Sequence, residues 1–411
     1  MRLQKLATHQ SGYVRSFYDL RPGLAAEPYQ AQYAALMKDC FGWADFWSLA
    51  LNKLGFETGE IVADVEPMQK AWAYEQGVAY SETDWLLEIT TAQIKAFQPD
   101  VLFIDDYNTF TADYLRHLRA ECPGIRLILG WCGAPYSDPA VFDEYDVVLS
   151  CVPELVEHFR QHGHRSYHLN HAFEPRILES IDVGAPPDVD FGFIGSVVRR
   201  NNFHNTRAKL LGELIKQTNL QLWSDLYRPS AEIRRSVAIR RFAYDVVDLA
   251  RRAGVPQSIL SAAPFSRKVI RWPSRPDFPQ DFNPEMARRT HPPLYGVAMF
   301  QQLHNTKVAL NVHIDISPLN ASNMRLFEAT GVGTCLLTDW KTNLSDLFEP
   351  EVEVVTYRNP EECIEKVRYL LDHEDERKSI AAAGQQRTLR SHTFAQRAES
   401  LSELIRSNLK D

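Results

Sequence analysis

The chain contains no run of about eighteen or more apolar residues, so it offers no candidate for a membrane-spanning helix. Its opening residues, MRLQKLATHQ, lack the apolar core of a secretory signal peptide. Six cysteines are scattered along it (Cys40, Cys122, Cys132, Cys151, Cys335 and Cys363), and no two form a C-x-x-C pair. Most sit in or beside apolar runs and are expected to be buried, reduced thiols rather than disulfides or zinc ligands. No G-x-x-x-x-G-K-[ST] segment occurs, which argues against a P-loop nucleotide triphosphatase. No internal repeat or low-complexity tract is visible. A formal net charge of −8 argues against general nucleic-acid binding. These absences predict a cytoplasmic protein.

What is present is an ordinary globular composition, 45% apolar and 24% charged, in a chain of 411 residues. That length is too great for one ordinary core and suits two domains. The first half alternates short apolar runs with helical patterns. Strands are predicted over 3–7, 60–64, 101–105, 126–131, 147–151 and 166–169, with helices over 29–54, 83–96, 112–120 and 153–162. Short apolar strands separated by helices predict a parallel sheet covered on both faces. Residues 174–190 hold three prolines and five acids and are read as the linker. The expected division is therefore an N-terminal domain 1–174, a linker 175–190, a C-terminal domain 191–394 and a closing helix 395–411.

Residues 307–339, KVALNVHIDISPLNASNMRLFEATGVGTCLLTD, read as strand, polar loop, helix, glycines and second strand. The loop-to-helix junction delivers Asn323, Met324, Arg325 and Glu328 to the carboxyl edge of a parallel sheet, where open α/β sheets bind ligands. Asn323 is placed to cap the helix. Arg325 suits a phosphate, and Glu328, one turn on, suits sugar hydroxyls. Asn311 and His313 close the preceding strand at the same edge.

The second half also breaks pattern. Residues 226–290 hold 13 Lys and Arg against 6 Asp and Glu, so the chain's −8 divides into +7 there and −15 elsewhere. This stretch has amphipathic helical spacing at Ile239, Phe242, Val246 and Leu249, and its charge is compatible with an anionic acceptor or a membrane surface.

The segment NMRLFEATGVGTCLLTD resembles the donor site of group 1 glycosyltransferases of the GT-B fold, most nearly the spore-maturation glycosyltransferase-like branch. The resemblance extends from about residue 191 to the C-terminus. It implies two Rossmann-like domains facing each other across a cleft, a nucleotide-diphosphate sugar as donor, a glycan or lipid-linked acceptor, and no required metal or other cofactor. It also implies that Glu328 binds the ribose hydroxyls and that Gly195 and Ser196, with Arg199 following, let the backbone approach the diphosphate. Retaining members carry a further glutamate eight positions before Glu328. Asn320 stands there in this chain, and an amide can bond a hydroxyl but supplies no negative charge. A base for an acceptor hydroxyl is expected in the first domain, from Asp105, Asp106, Asp138 or His171. Asp138 is preferred, because its loop also bears Trp131 and Tyr136. Two other readings remain open: a nucleotide-sugar epimerase on the same fold, and a non-catalytic binder of glycans or nucleotides.

Overall fold

The computed structural model describes residues 1–197, 205–226, 230–256, 260, 269, 275–276 and 283–409. They form two compact units, Met1–Ile194 with Leu294–Asp411, and Gly195–Pro293. The first unit contains a six-stranded sheet in the order β2-β1-β3-β4-β5-β6. Its strands are β1 (Arg2–Ala7), β2 (Glu57–Val62), β3 (Val101–Ile104), β4 (Leu127–Trp131), β5 (Val147–Ser150) and β6 (Ser166–His168). All neighbours pair in parallel. Every residue of β3, β4 and β5 is buried, as expected of strands covered by helices on both faces. The six strand positions match those expected from the apolar runs to within three residues.

The same unit holds four parallel strands of a second sheet: β7 (Val189–Ile194), β10 (Thr306–Asn311), β11 (Cys335–Asp339) and β12 (Val355–Tyr357). They are ordered β12-β11-β10-β7. In the other unit, β8 (Gln221–Trp223) pairs in parallel with β9 (Thr290–His291), accompanied by helices Asn205–Gln217, Ala231–Arg252 and Pro284–Arg288. The stretch expected as a linker carries a short helix, Ile177–Ser180, before the chain enters β7. All six cysteines are free, and five of them are buried.

One expected element is divided. Residues 29–54 form two helices, Tyr29–Lys38 and Phe46–Asn52, because Cys40, Gly42 and Ala44 between them adopt left-handed backbone conformations. Only glycine adopts that conformation at no cost, so nothing at Cys40 or Ala44 announces the break. The break carries Phe41, Gly42 and Trp43 to the carboxyl edge of the first sheet, where they line a cavity.

The C-terminal helix Phe394–Asn408 returns to the first sheet's helices, with Phe394 packed against Phe46 and Trp47 at ring separations of 5.1 Å. Gly296 makes a second tie to that part of the chain. Its φ is +52°, a Cβ there would lie 2.3 Å from the Asp39 carbonyl oxygen, and Val297 N–H donates to the same oxygen at 2.8 Å. Gly296→Ala is expected to cost about 2–3 kcal/mol through backbone strain and overpacking. A urea unfolding curve that barely moves would show that this contact yields easily.

Candidate active site

A cavity of about 510 Å³ lies at the carboxyl edge of the first sheet. Lys5, Thr8, His9, Phe41, Trp43, Asp105, Asp106, Trp131 and His171 line it, together with Met324 from the loop after β10. The first sheet and the Asn323–Arg325 junction therefore share one cleft. Glu154, at the start of helix Pro153–Gln161, makes a further link by accepting the Leu319 amide at 3.3 Å.

The electrostatics of the cavity come from β1 and β3. Lys5 is buried on β1, its Nζ 3.1 Å from Glu60 and 3.6 Å from Asp105. Burial opposes its charge, but Glu60 and then Asp105 hold it protonated. Burial likewise pushes the Asp105 carboxyl up to about 6, against the pull of Lys5. Its neighbour Asp106 behaves oppositely. Burial would raise it, but donors from Thr8, Asn108 and Thr109 hold it below the usual carboxylate range. His9 is drawn down to about 3 by burial and by Lys5. His171 is also drawn down to about 3, by burial and then by Arg397. Both imidazoles are therefore neutral near pH 7, and Asp105 is the cavity group that changes charge nearest to it. Trp131 packs edge-on against Trp43 with ring centroids 4.8 Å apart and lines the cavity with an apolar surface.

The preferred base, Asp138, sits elsewhere. It is exposed, its carboxylate accepts the Ala140 amide at 2.9 Å, and it does not line the cavity. Tyr136 points its hydroxyl at His158 (2.7 Å) and stacks on Phe159. The loop after β4 is thus packed for structure, while Trp131 at the strand's end faces the cavity. Lys5, His9 and Trp43 escaped the sequence reading. A lone lysine inside the apolar run LQKLA was the available signal, since a charge in a buried strand must find a partner.

At the second sheet, the helix after the junction is Arg325–Gly331, and Met324 rather than Asn323 is its N-cap, with no side-chain cap bond. Asn323 instead donates its amide to Asn311 Oδ1 at 2.7 Å, and Asn311 donates to Thr338 Oγ1 at 2.9 Å. Asn311 is almost wholly buried, and its need for a donor outweighs the local cap. Arg325 forms an ion pair with Glu328 at 2.8 Å and also touches Met299 Sδ at 3.2 Å. Asn320 binds its surroundings structurally, its carbonyl accepting Ser317 Oγ and its side-chain oxygen accepting Thr342 Oγ1.

His313 has its Nδ1 2.6 Å from Asp339 Oδ1. Burial would raise Asp339, but His313, followed by Lys341, pulls it down to about 2. Gly195 and Ser196 belong to the other unit. The Gly195 amide donates to Trp223 O at 3.1 Å, and the buried Arg207 donates to Ser196 O at 2.9 Å. Arg199 lies outside the described residues.

Among the buried polar atoms without a hydrogen-bond partner, six belong to residues near these two carboxyl edges. They are Glu154 Oε2, Asn170 Oδ1 and His171 Nδ1 at the first sheet, and His313 Nε2, Ser322 Oγ and Asn323 Oδ1 at the second. A buried polar atom left unpaired costs about 1–3 kcal/mol, so its place in a structure calls for a reason.

Two parallel Rossmann-like sheets sharing a cleft at their carboxyl edges define the GT-B fold. Solved structures agree along nearly the whole chain. The glycosyltransferase of Rickettsia africae ESF-5 superposes with a TM-score of 0.53 at 8% identity, covering 100% of this chain and 99% of that one. The sucrose-phosphate synthase of Thermosynechococcus elongatus gives 0.51 at 11% identity, covering 99% and 98%. Anabaena HepE, solved in complex with UDP-glucose, gives 0.51 at 11% identity, covering 99% and 100%. Residues 235–403 match the family model described as "Glycosyl transferase-like". No match was found among curated proteins.

Proposed function

We propose that the protein transfers a glycosyl group from a nucleotide-diphosphate sugar to the hydroxyl of a glycan, lipid-linked or other acceptor. The observation that carries this reading is the cavity at the first sheet's carboxyl edge, which sets Trp131 beside Asp105 and is lined by His171, whose buried Nδ1 has no hydrogen-bond partner, and by Met324 from the second sheet's junction. A sugar supplies hydroxyls for His171 and Asp105 and an apolar face for the indole. The matched family over residues 235–403 and the donor held by HepE are consistent with a nucleotide sugar. The pattern Asn323, Arg325, Glu328 keeps the spore-maturation-like branch as our family assignment.

In this reading Asp105 takes the proton of the acceptor hydroxyl as it attacks the anomeric carbon, and the nucleoside diphosphate leaves with the bonding electron pair. Trp131 orients the acceptor. Arg325 turns from Glu328 to the departing diphosphate, which releases the carboxylate for the ribose hydroxyls. Asn320 offers no carboxylate to the sugar, which favours direct, inverting displacement over a retaining course. In this reading the negative charge of the diphosphate is met by Arg325 and backbone amides, and EDTA is expected to leave turnover unchanged; loss of turnover on chelation would overturn this.

A thermal-shift panel of UDP, GDP and TDP tests the donor site, because a ligand bound only by the folded state stabilises by about 2.7 kcal/mol at a hundred times its Kd. One nucleotide is expected to raise the melting temperature, and Glu328→Ala to remove that response. A response intact in the variant would sink the ribose assignment. Mass spectrometry of the donor incubation separates the alternatives. A sugar isomerised at unchanged mass would mean an epimerase, and tight glycan binding with no turnover would mean a non-catalytic binder.

A further inference from the structure

Helix Ala231–Arg252 presents the wrong face to water for a solvated helix. Its buried side is Val237, Ala243 and Val247, packed with Val269 and partly with Tyr244. The residues spaced as a second apolar stripe, Ile239, Phe242, Val246 and Leu249, are 59%, 72%, 47% and 69% exposed. Their spacing of three, four and three residues keeps them on one line about 15 Å long. A continuous exposed apolar stripe of this kind marks an interaction surface.

The charge around it selects the partner. The helix carries Arg234, Arg235, Arg240, Arg241, Arg251 and Arg252 against Glu232, Asp245 and Asp248. Two of the acids are already neutralised: Asp245 is held by Arg275 at 2.7 and 2.8 Å, and Asp248 pairs with Arg252 at 2.8 Å. The surrounding sequence, residues 226–290, has a net charge of +7 in a chain of net −8. A second copy would bring the same positive region against itself, which Coulomb repulsion disfavours. Four side chains on one helix also fall short of the ~800 Å² per partner of a standard protein interface. An anionic bilayer surface has neither difficulty, since it attracts the arginines and needs no shaped partner for a shallow apolar stripe.

We propose that the outer face of helix Ala231–Arg252 docks on an anionic phospholipid surface, with Ile239, Phe242, Val246 and Leu249 entering the headgroup–acyl boundary and the exposed Arg234, Arg235 and Arg240 meeting lipid phosphates. The proposal stands on this helix alone and does not depend on the reading of the cavity.

Vesicle flotation tests it with the full chain, using phosphatidylcholine vesicles with and without phosphatidylglycerol. The protein is expected to float with the anionic vesicles only, and to be released as salt shortens the range of its charges. Phe242→Ser with Leu249→Ser should cut the vesicle-bound fraction by about tenfold or more without moving the melting temperature, because both side chains are exposed. Arg234→Gln with Arg235→Gln and Arg240→Gln should weaken binding to anionic vesicles in the same direction. Failure of the unmodified protein to bind anionic vesicles would overturn the proposal, as would binding that survives both sets of substitutions. Light scattering that shows a dimer broken by Phe242→Ser with Leu249→Ser, with no vesicle binding, would overturn it in favour of a second copy.

Discussion

Asp105→Asn is expected to lower glycosyl transfer by about 10²–10⁴-fold while leaving the nucleotide-induced thermal shift intact. The substitution keeps the shape of the cavity and removes the group able to take a proton there. Asp105 lines the cavity beside Trp131. Burial holds its carboxyl at about 6, so the base form fills as pH rises through that value and is lost below it. The rate at limiting donor should therefore climb from pH 5 to 7 with a midpoint near pH 6, and the Asn variant should lose that limb. Asp138→Asn, on its exposed turn, should change the rate by less than about threefold. A variant at position 105 that retains full activity, or a loss reproduced at position 138, would return the base to the sequence-based choice.

Lys5→Met is expected to destabilise the protein by about 3–5 kcal/mol, because it leaves the Glu60 carboxylate buried with one remaining donor, Ser48 Oγ at 2.8 Å. Glu60 has no exposed side-chain surface, so water cannot replace the lost partner. Glu60→Gln combined with Lys5→Met should recover part of the loss, since a neutral amide costs less to bury than an uncompensated charge. Urea unfolding of the two single variants and the double variant measures this coupling directly. A loss under about 1 kcal/mol for Lys5→Met would show that Glu60 simply takes up a proton. Lys5 also opposes the upward push on Asp105, so its removal should move the activity midpoint to higher pH. That shift identifies Lys5 as a positioning residue, because instability alone would lower the rate without moving the profile.

These two residues show why the site was only half legible. The apolar runs gave β3 and β1, and the cavity lies where their carboxyl ends fall, because side chains buried on both faces of a parallel sheet are written as continuous hydrophobic stretches. The chemistry depends on Lys5 meeting Asp105 and Glu60 across residues 100 and 55 positions apart, and no local pattern encodes that meeting. Asn323 illustrates the opposite failure. Its composition and place suit a helix cap, but the buried Asn311 claims its amide. Arg325 and Glu328, expected to meet a phosphate and sugar hydroxyls, instead meet each other as an ion pair one helical turn apart.

The sequence by itself determined the two α/β sheets, the free cysteines, the basic stretch at 226–290 and the junction that carries Arg325 and Glu328. Each is a property of neighbouring residues, so periodicity, turn chemistry and local charge are enough. Only the tertiary structure decided which carboxylate sits in the cavity, how burial and Lys5 tune it, and which side of helix Ala231–Arg252 is left uncovered. Those outcomes depend on desolvation and on partners brought from distant positions. A helix with apolar residues on two faces cannot disclose from its sequence which of them the core will take.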